Sequence, residues 1–271
     1  MVKATLQIKE SADEITTLDG EVHSKEEIIS KMDDDDFYYG YLTKNALSCS
    51  LLKMLMKSPK HYLEITQGEE QNETQALRDG KLIHWAVLEP EKFAALPVVD
   101  VKSKNSKAYK EAVAQLGTVY TITEIEKAEK MAAVIHANSE ASEYLKDAQF
   151  EIPEIAMIDG IAFRAKADIL KGKQIIDLKT TIDVKKFKWS AYKYGYDLQA
   201  YLYLQMFPEA ESFTFLCIDK GTQDIAVFEC SEEFLESGKK KLEAGIREFN
   251  FFFPEGEDNI DINNYVYRDI L

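Results

Sequence analysis

The stretch from 161 to 181, IAFRAKADILKGKQIIDLKTT, constrains the fold more than any other part of the chain. Two runs of alternating apolar and polar residues flank Gly172-Lys173, and glycine at the first central position is what a two-residue type II′ turn needs. A hairpin closed by that loop sets Asp168 opposite Asp177 and Lys166 opposite Lys179. Strand side chains alternate, so Arg164, Lys166 and Asp168 are expected to share a face with Asp177 and Lys179. Phe163, Ala165, Ala167, Ile169, Ile176 and Leu178 make the other face, which is expected to be core.

Two carboxylates directly opposite each other repel, so a sheet holds them there only against a compensating charge. A hard divalent cation supplies one, and an oxygen donor set suits Mg²⁺ or Mn²⁺. Lys179 follows Asp177 by two residues, points the same way, and can hold or deprotonate a water beside the metal. The set reads as a site for metal-assisted hydrolysis. Arg164, Lys166, Lys185 and Lys186 lie near it in sequence and suit an anionic, phosphate-bearing substrate. The competing explanation is a surface hairpin with ordinary Asp–Lys pairs. The apolar Ile175, Ile176 and Leu178 weigh against it, because they require the hairpin to be at least half-buried.

Net charge is −15 over 271 residues, which alone argues against a polyanionic partner. Its distribution reverses that. Residues 1–36 carry four Lys and eleven acids, ending in Asp33-Asp34-Asp35-Asp36, and residues 254–271 carry one Arg and five acids. Between 164 and 193, nine Lys or Arg surround three Asp. The chain therefore reads as an acidic arm 1–36 (mobile, or a small appended element), a single domain 37–253 and an acidic tail 254–271. Helices are expected over 48–62 until Pro59 interrupts, over 73–88 with Leu77, Gly80, His84 and Val87 on one stripe, and over 186–206. Two more are expected, one from a Thr123-x-x-Glu126 capping box to Asn138 and one over 232–253 behind an N-cap at Ser231. Strands are expected at 151–158, 161–170, 174–180, 213–219 and 225–230, giving a mixed α/β fold. There is no run of about 18 apolar residues, no secretory signal, and no disulfide framework in Cys49, Cys217 and Cys230. The chain reads as cytoplasmic, without a membrane partner.

With these pieces in view, the sequence resembles the PD-(D/E)XK nuclease superfamily. Asp168 followed by Ile175-Ile-Asp177-Leu-Lys179 is similar to its core motif, with Asp in the second acidic position. Gly80-Lys-Leu-Ile-His84-Trp-Ala-Val-Leu-Glu89-Pro90 resembles a helix of the exonuclease VIII (RecE-type) phage recombination exonucleases, which bears an active-site His before Leu-Glu-Pro. Ser48-Cys-Ser-Leu-Leu-Lys-Met-Leu-Met-Lys-Ser-Pro59-Lys-His-Tyr62 resembles that branch's N-terminal helix, and Gln199-Ala-Tyr-Leu-Tyr203 the Q-x-x-x-Y motif of RecB-like nucleases. The resemblance covers about 40–230.

It implies a restriction-endonuclease-like core, a central mixed β-sheet flanked by helices, with added N-terminal helices. It implies a Mg²⁺-dependent exodeoxyribonuclease, with Mn²⁺ as a substitute, working 5′→3′ from the ends of linear double-stranded DNA. The product would be 3′ single-stranded tails for recombination by strand annealing. The implied partners are DNA ends, further copies of the chain in a ring of three or four, and a single-strand annealing recombinase, in a bacterial host cytoplasm if phage-encoded. By matched position, Asp168, Asp177, His84 and the backbone carbonyl of Leu178 would be metal ligands. Lys179 would be the catalytic lysine and Glu154 the upstream acid.

Gln199 and Tyr203, four apart on one helical face, would touch the scissile region or the DNA backbone, or else form a polar seam between helix and sheet. The aromatic run Trp189, Tyr192, Tyr194, Tyr196, Tyr201 and Tyr203 is expected to pack, with one or two rings left to stack on an unpaired base. His23, His61 and His136 have no ligand spacing. Three isolated cysteines cannot hold the iron–sulfur cluster of some RecB-like relatives, and without a Walker A sequence no ATP is expected. Two further classes stand beside the exonuclease: a structure-specific or repair endonuclease on the same core, and a catalytically degenerate DNA-binding or assembly protein.

Overall fold

Two tight loops organise the centre of the molecule. In the computed structural model, which describes residues 13–69, 73–254 and 261–268, Asp159 and Gly160 both take positive φ, as a type I′ turn requires, and Gly172 has φ 57°. Ahead of them the chain forms β1 (Glu14–Thr16), β2 (Val22–Ser24), α1 (Lys25–Lys31), a π-helical turn at Asp36–Tyr41, α2 (Leu42–Asn45), α3 (Cys49–Lys57), α4 (Pro59–Thr66), α5 (Gln75–Leu88) and α6 (Pro90–Ala94). A small ladder of β3 (Val98–Val99) and β4 (Tyr120–Thr121) encloses α7 (Lys107–Leu116) and leads to α8 (Ile122–Ala137) and α9 (Ser139–Leu145). The main sheet follows: β5 (Gln149–Ile158), β6 (Ile161–Lys171) and β7 (Gln174–Thr181). A crossover through α10 (Phe187–Lys193) and α11 (Tyr196–Met206) then leads to β8 (Ser212–Asp219), β9 (Ile225–Glu229) and α12 (Glu232–Phe252).

Strand order is β5-β6-β7-β8-β9, with only β7–β8 parallel among these neighbours, so the sheet is mixed and flanked by helices. Alternation along β7 and β8 feeds two layers. Ile175, Phe213, Phe215 and Cys217 pack with α3, α11 and α12, while Ile176, Leu178, Leu216 and Ile218 pack with α5 and α8. The five strands fall where alternation predicts. Three of the expected helices differ from the reading. The expected helix 186–206 is two, parted at Gly195, whose φ of 66° a non-glycine residue adopts only with strain. The capping box is Thr121 with Glu124, two residues earlier than expected, which lets Glu124 reach Arg78 on α5. Pro59 ends one helix and also opens the next at its first position, with Ser58 capping the new turn.

Within residues 14–32, Ile15, Ile28 and Met32 are buried against Leu42, Ala46, Ile155 and Ala162. Residues 1–12 of the arm lie outside the described residues, as do 255–260 and 269–271 of the tail, while Ile262 is buried in the main core. Among the described residues no helix is long and apolar enough to cross a membrane.

Gly238 of α12 packs against α11, where an added Cβ would collide with the Asp197 carbonyl oxygen. Gly238→Ala is expected to cost about 2–3 kcal/mol, lowering Tm by roughly 5–10 °C. Gly40→Ala, where a Cβ meets nothing within 4 Å, should melt like the wild type. Equal Tm for both variants would refute the packing argument.

Candidate active site

The β6–β7 ladder has the register that the Gly172 loop dictates, pairing Lys171 with Gln174, Leu170 with Ile175 and Ile169 with Ile176, and there it ends. Beyond that point β7 continues with β8, while β6 turns to Leu47, whose N–H donates to the Ala162 carbonyl and whose carbonyl accepts from the Arg164 N–H. Asp168 and Asp177 therefore sit at the mouth of a split and not on facing rungs. The carboxylate of Asp168 accepts the Leu178 N–H at 2.9 Å, taking the place of a ladder bond.

The divergence corrects two expectations. Phe163, Ala165 and Ala167 pack on the α3–α11 side, whereas Ile169, Ile176 and Leu178 pack on the α5–α8 side. Lys166 does not face Lys179: its ammonium lies 5.1 Å from the Tyr38 ring centroid and 4.0 Å from Asp33.

His84, six residues after Arg78 on α5, reaches the split. Its Nε2 is 2.8 Å from Asp168 Oδ2 and its Nδ1 is 3.3 Å from Glu151 Oε1. Potential donor atoms of His84, Glu151 and Asp168 all lie within 4.8 Å of one another. Glu151 is the residue that sequence reasoning missed. It takes φ 53° within β5, and the flanking pairs Phe150–Ile169 and Ile152–Ala167 bring it alongside Asp168. Glu154 does not join the group. Its side chain pairs with Lys25 at 2.7 Å and accepts the Ile155 N–H.

Asp177 is 1% exposed. Gln199 Nε2 donates to its Oδ1 at 2.6 Å, and Lys179 Nζ forms an ion pair with its buried Oδ2 at 2.6 Å. Glu151 Oε1 is buried without a hydrogen-bond donor. Burial, with Asp168 adding to it, pushes the Asp177 carboxyl up against the pull of Lys179. Burial also lifts Glu151 to about 7. Burial works against the charges of His84 and Lys179, but the acids beside them prevail: His84 rises to about 9, and Lys179 is held above its ordinary range. Burial likewise opposes ionisation of Asp168, and the His84 imidazolium holds it low. The buried Glu151 Oε1, which has no hydrogen bond and is set among three acids and an imidazole, fits a divalent cation.

The remaining expected residues divide. Tyr203 donates to the Lys166 carbonyl at 3.3 Å, and with Gln199 and Arg164 it lines a cavity of about 600 Å³ that Tyr38, Ser48 and Lys53 also border. Arg164 is buried, donates to the Tyr38 carbonyl and to Thr43 Oγ1, stacks on the Tyr38 ring at 4.3 Å, and leaves its Nε without a partner. Lys185 and Lys186 lie on the turn after β7, with Lys186 paired to Asp183 at 3.0 Å.

Glu151→Ala is expected to weaken Mn²⁺ binding at least tenfold, measured by calorimetry, while Glu154→Ala leaves it unchanged. The reverse ranking would restore Glu154 to the site.

A family model described as a PDDEXK-like domain of unknown function (DUF3799) matches residues 48–254. A search of curated proteins finds no match. Among solved structures, a candidate exonuclease from Eubacterium rectale is similar over 88% of this chain and 95% of its own, with a TM-score of 0.65 at 18% identity. A phage-related exonuclease from Haemophilus somnus matches over 56% of this chain and 88% of its own, at 14% identity and a TM-score of 0.30. At these identities the likeness concerns the fold, and it rests on the first structure.

Proposed function

Because the chain belongs to the PDDEXK-like family that matches it over residues 48–254, we propose that it is a divalent-metal-dependent exodeoxyribonuclease working from the ends of linear double-stranded DNA. The observation that carries this reading is the convergence of His84, Glu151 and Asp168 beside the buried Asp177–Lys179 pair at the β6–β7 split. Asp168, Asp177, His84 and the Leu178 carbonyl would hold the cation, with Glu151 as an additional acid in place of Glu154. When bound, Mg²⁺ would supply Lewis acidity at the phosphate and lower the pKa of water.

The protein's own groups do the rest. Lys179, kept protonated in the metal-free site by Asp177 and Asp168 against the pull of burial, would orient the attacking water or take its proton once a cation offsets those acids, and would face the phosphate oxygens on which charge grows. Gln199 fixes the Asp177 carboxylate through a 2.6 Å bond, and Tyr203 fixes the strand that bears Asp168. Arg164, buried against Tyr38 and Thr43, and Lys166 would take phosphates of the DNA backbone.

A 5′→3′ direction, 3′ single-stranded tails, a ring of three or four copies and a single-strand annealing partner complete the RecE-type reading. Digestion of duplex labelled at either end, in Mg²⁺ against EDTA, tests it. The expected result is metal-dependent release beginning at the 5′ end, with covalently closed circles left intact. Cutting of closed circles would make the protein an endonuclease, and no hydrolysis in Mg²⁺ or Mn²⁺ would leave it a DNA-binding protein on this fold.

A further inference from the structure

Segment 182–194 joins the strand of Lys179 to the helix of Gln199, and several of its aromatic rings are open to solvent. In α10 only Phe187 and Ala191 are buried; Trp189 is 61% exposed, Tyr192 42%, and Tyr194 just beyond the helix 54%. Ile182, at the start of the segment, is 85% exposed. The same stretch is basic, with Lys185, Lys186, Lys188 and Lys193 against Asp183. Two of the ammoniums lie over exposed rings, Lys188 at 4.5 Å from the Trp189 centroid and Lys193 at 5.8 Å from that of Tyr194.

This face connects to the split through a line of rings. Tyr194 stands 5.9 Å from Tyr196, and the Tyr196 ring lies 4.9 Å from Lys179 Nζ. Lys53 of α3 anchors the line by donating to the Tyr194 carbonyl at 3.1 Å. At about 3.4 Å per nucleotide of a stacked strand, Tyr194 is within roughly three nucleotides of Lys179.

We propose that Trp189 and Tyr194, flanked by Lys185, Lys188 and Lys193, form a platform for single-stranded nucleic acid leading from the active site. It rests on the nuclease reading above, which supplies the strand. Ring faces open to solvent stack on unpaired bases, which a duplex does not offer, and the lysines between them match the phosphates of the same strand. A protein partner is a poorer fit, because lysine is depleted at protein–protein interfaces and here it separates the rings.

The test uses the full chain in EDTA, with anisotropy of a labelled oligothymidylate and, separately, of a blunt duplex. Trp189→Ala combined with Tyr194→Ala is expected to raise the oligothymidylate Kd roughly tenfold or more, with duplex affinity changed less than about twofold. Trp189→Phe, which keeps a ring, should retain most of the affinity. An unchanged oligothymidylate Kd, or an equal loss on duplex, would overturn the platform. So would a change in oligomeric mass by light scattering with nucleic-acid affinity intact, since that would assign the rings to contact between copies. Binding in EDTA is independent of hydrolysis. A wild type that fails to cut duplex, yet binds oligothymidylate through these rings, would sink the nuclease reading alone.

Discussion

Lys179→Ala is expected to slow hydrolysis of linear duplex by about 10²–10⁴-fold at saturating Mg²⁺, with duplex affinity in EDTA nearly unchanged. The ammonium is held between the Asp177 carboxylate at 2.6 Å and the Tyr196 ring at 4.9 Å, so its direction is set before substrate arrives. Burial weighs against that charge, but Asp177 and Asp168 keep the proton on, and alanine removes the donor without leaving a stranded cation. The cost falls on Asp177, which stays buried and loses its ion-pair partner. Its pKa then rises further and the carboxyl becomes neutral more readily, which preserves the fold while weakening metal binding. Single-turnover rates across a Mg²⁺ titration separate the two effects: extra metal should restore occupancy but not the rate. A variant within tenfold of wild type at saturation would remove Lys179 from the chemistry.

The largest stability effect is expected at Glu124. Its side chain accepts from Arg78 Nε at 2.8 Å, the Thr121 N–H at 2.9 Å and Gln75 Nε2 at 3.1 Å, and it pairs with Lys104 at 2.8 Å. Arg78 is equally enclosed, stacked on the Tyr120 ring at 4.1 Å and donating to the Val119 carbonyl. Glu124→Ala takes away the N-terminal box of α8 and leaves that enclosed guanidinium to its longer pair with Glu73 at 3.3 Å, which should cost about 3 kcal/mol, or roughly 6–12 °C in Tm. Burial acts to raise the Glu124 pKa, but bonds from Lys104, Thr121, Arg78 and Gln75 outweigh it and hold the group at about 2. A folded-state pKa below the unfolded 4.5 means that the unfolded chain binds the extra proton. The contribution is therefore complete above about 4.5 and lost as pH falls toward 2. The gap between wild type and Glu124→Ala in denaturant melts should be wide at pH 7 and narrow near pH 3. A gap independent of pH would refute the ion-pair account. Since Arg78 and His84 share α5, the variant should also loosen the metal site.

What could be read in advance was local. Alternation and turn chemistry located β5 to β9 within two residues at each end, and the Gly172 loop set the register of Lys171–Gln174 through Ile169–Ile176. The split beyond it was not legible, because it depends on Leu47, more than a hundred residues away, taking up the backbone of Ala162 and Arg164. Glu151 could have been found. Asp159-Gly160 is the dipeptide of a type I′ turn, and the pairing it fixes carries Glu151 to Asp168; reasoning from the motif alone stopped instead at Glu154. That one or two rings of the aromatic run would stay open was expected, but not that Trp189 and Tyr194 would be among them. An aromatic residue every few positions reads as core, and only the break at Gly195 turns α10 so that those rings face outward.

The bond from the Leu178 N–H to Asp168 Oδ2 gives a main-chain amide a view of a carboxylate in the site. Such a proton resonates far downfield while its acceptor is an ionised oxygen, and moves back when that oxygen is protonated or shared with a cation. In a nitrogen-labelled sample the Leu178 cross-peak thus becomes an internal indicator of site occupancy, readable without substrate, turnover or an attached probe. Its solvent-exchange lifetime would report how often the β6–β7 split breathes.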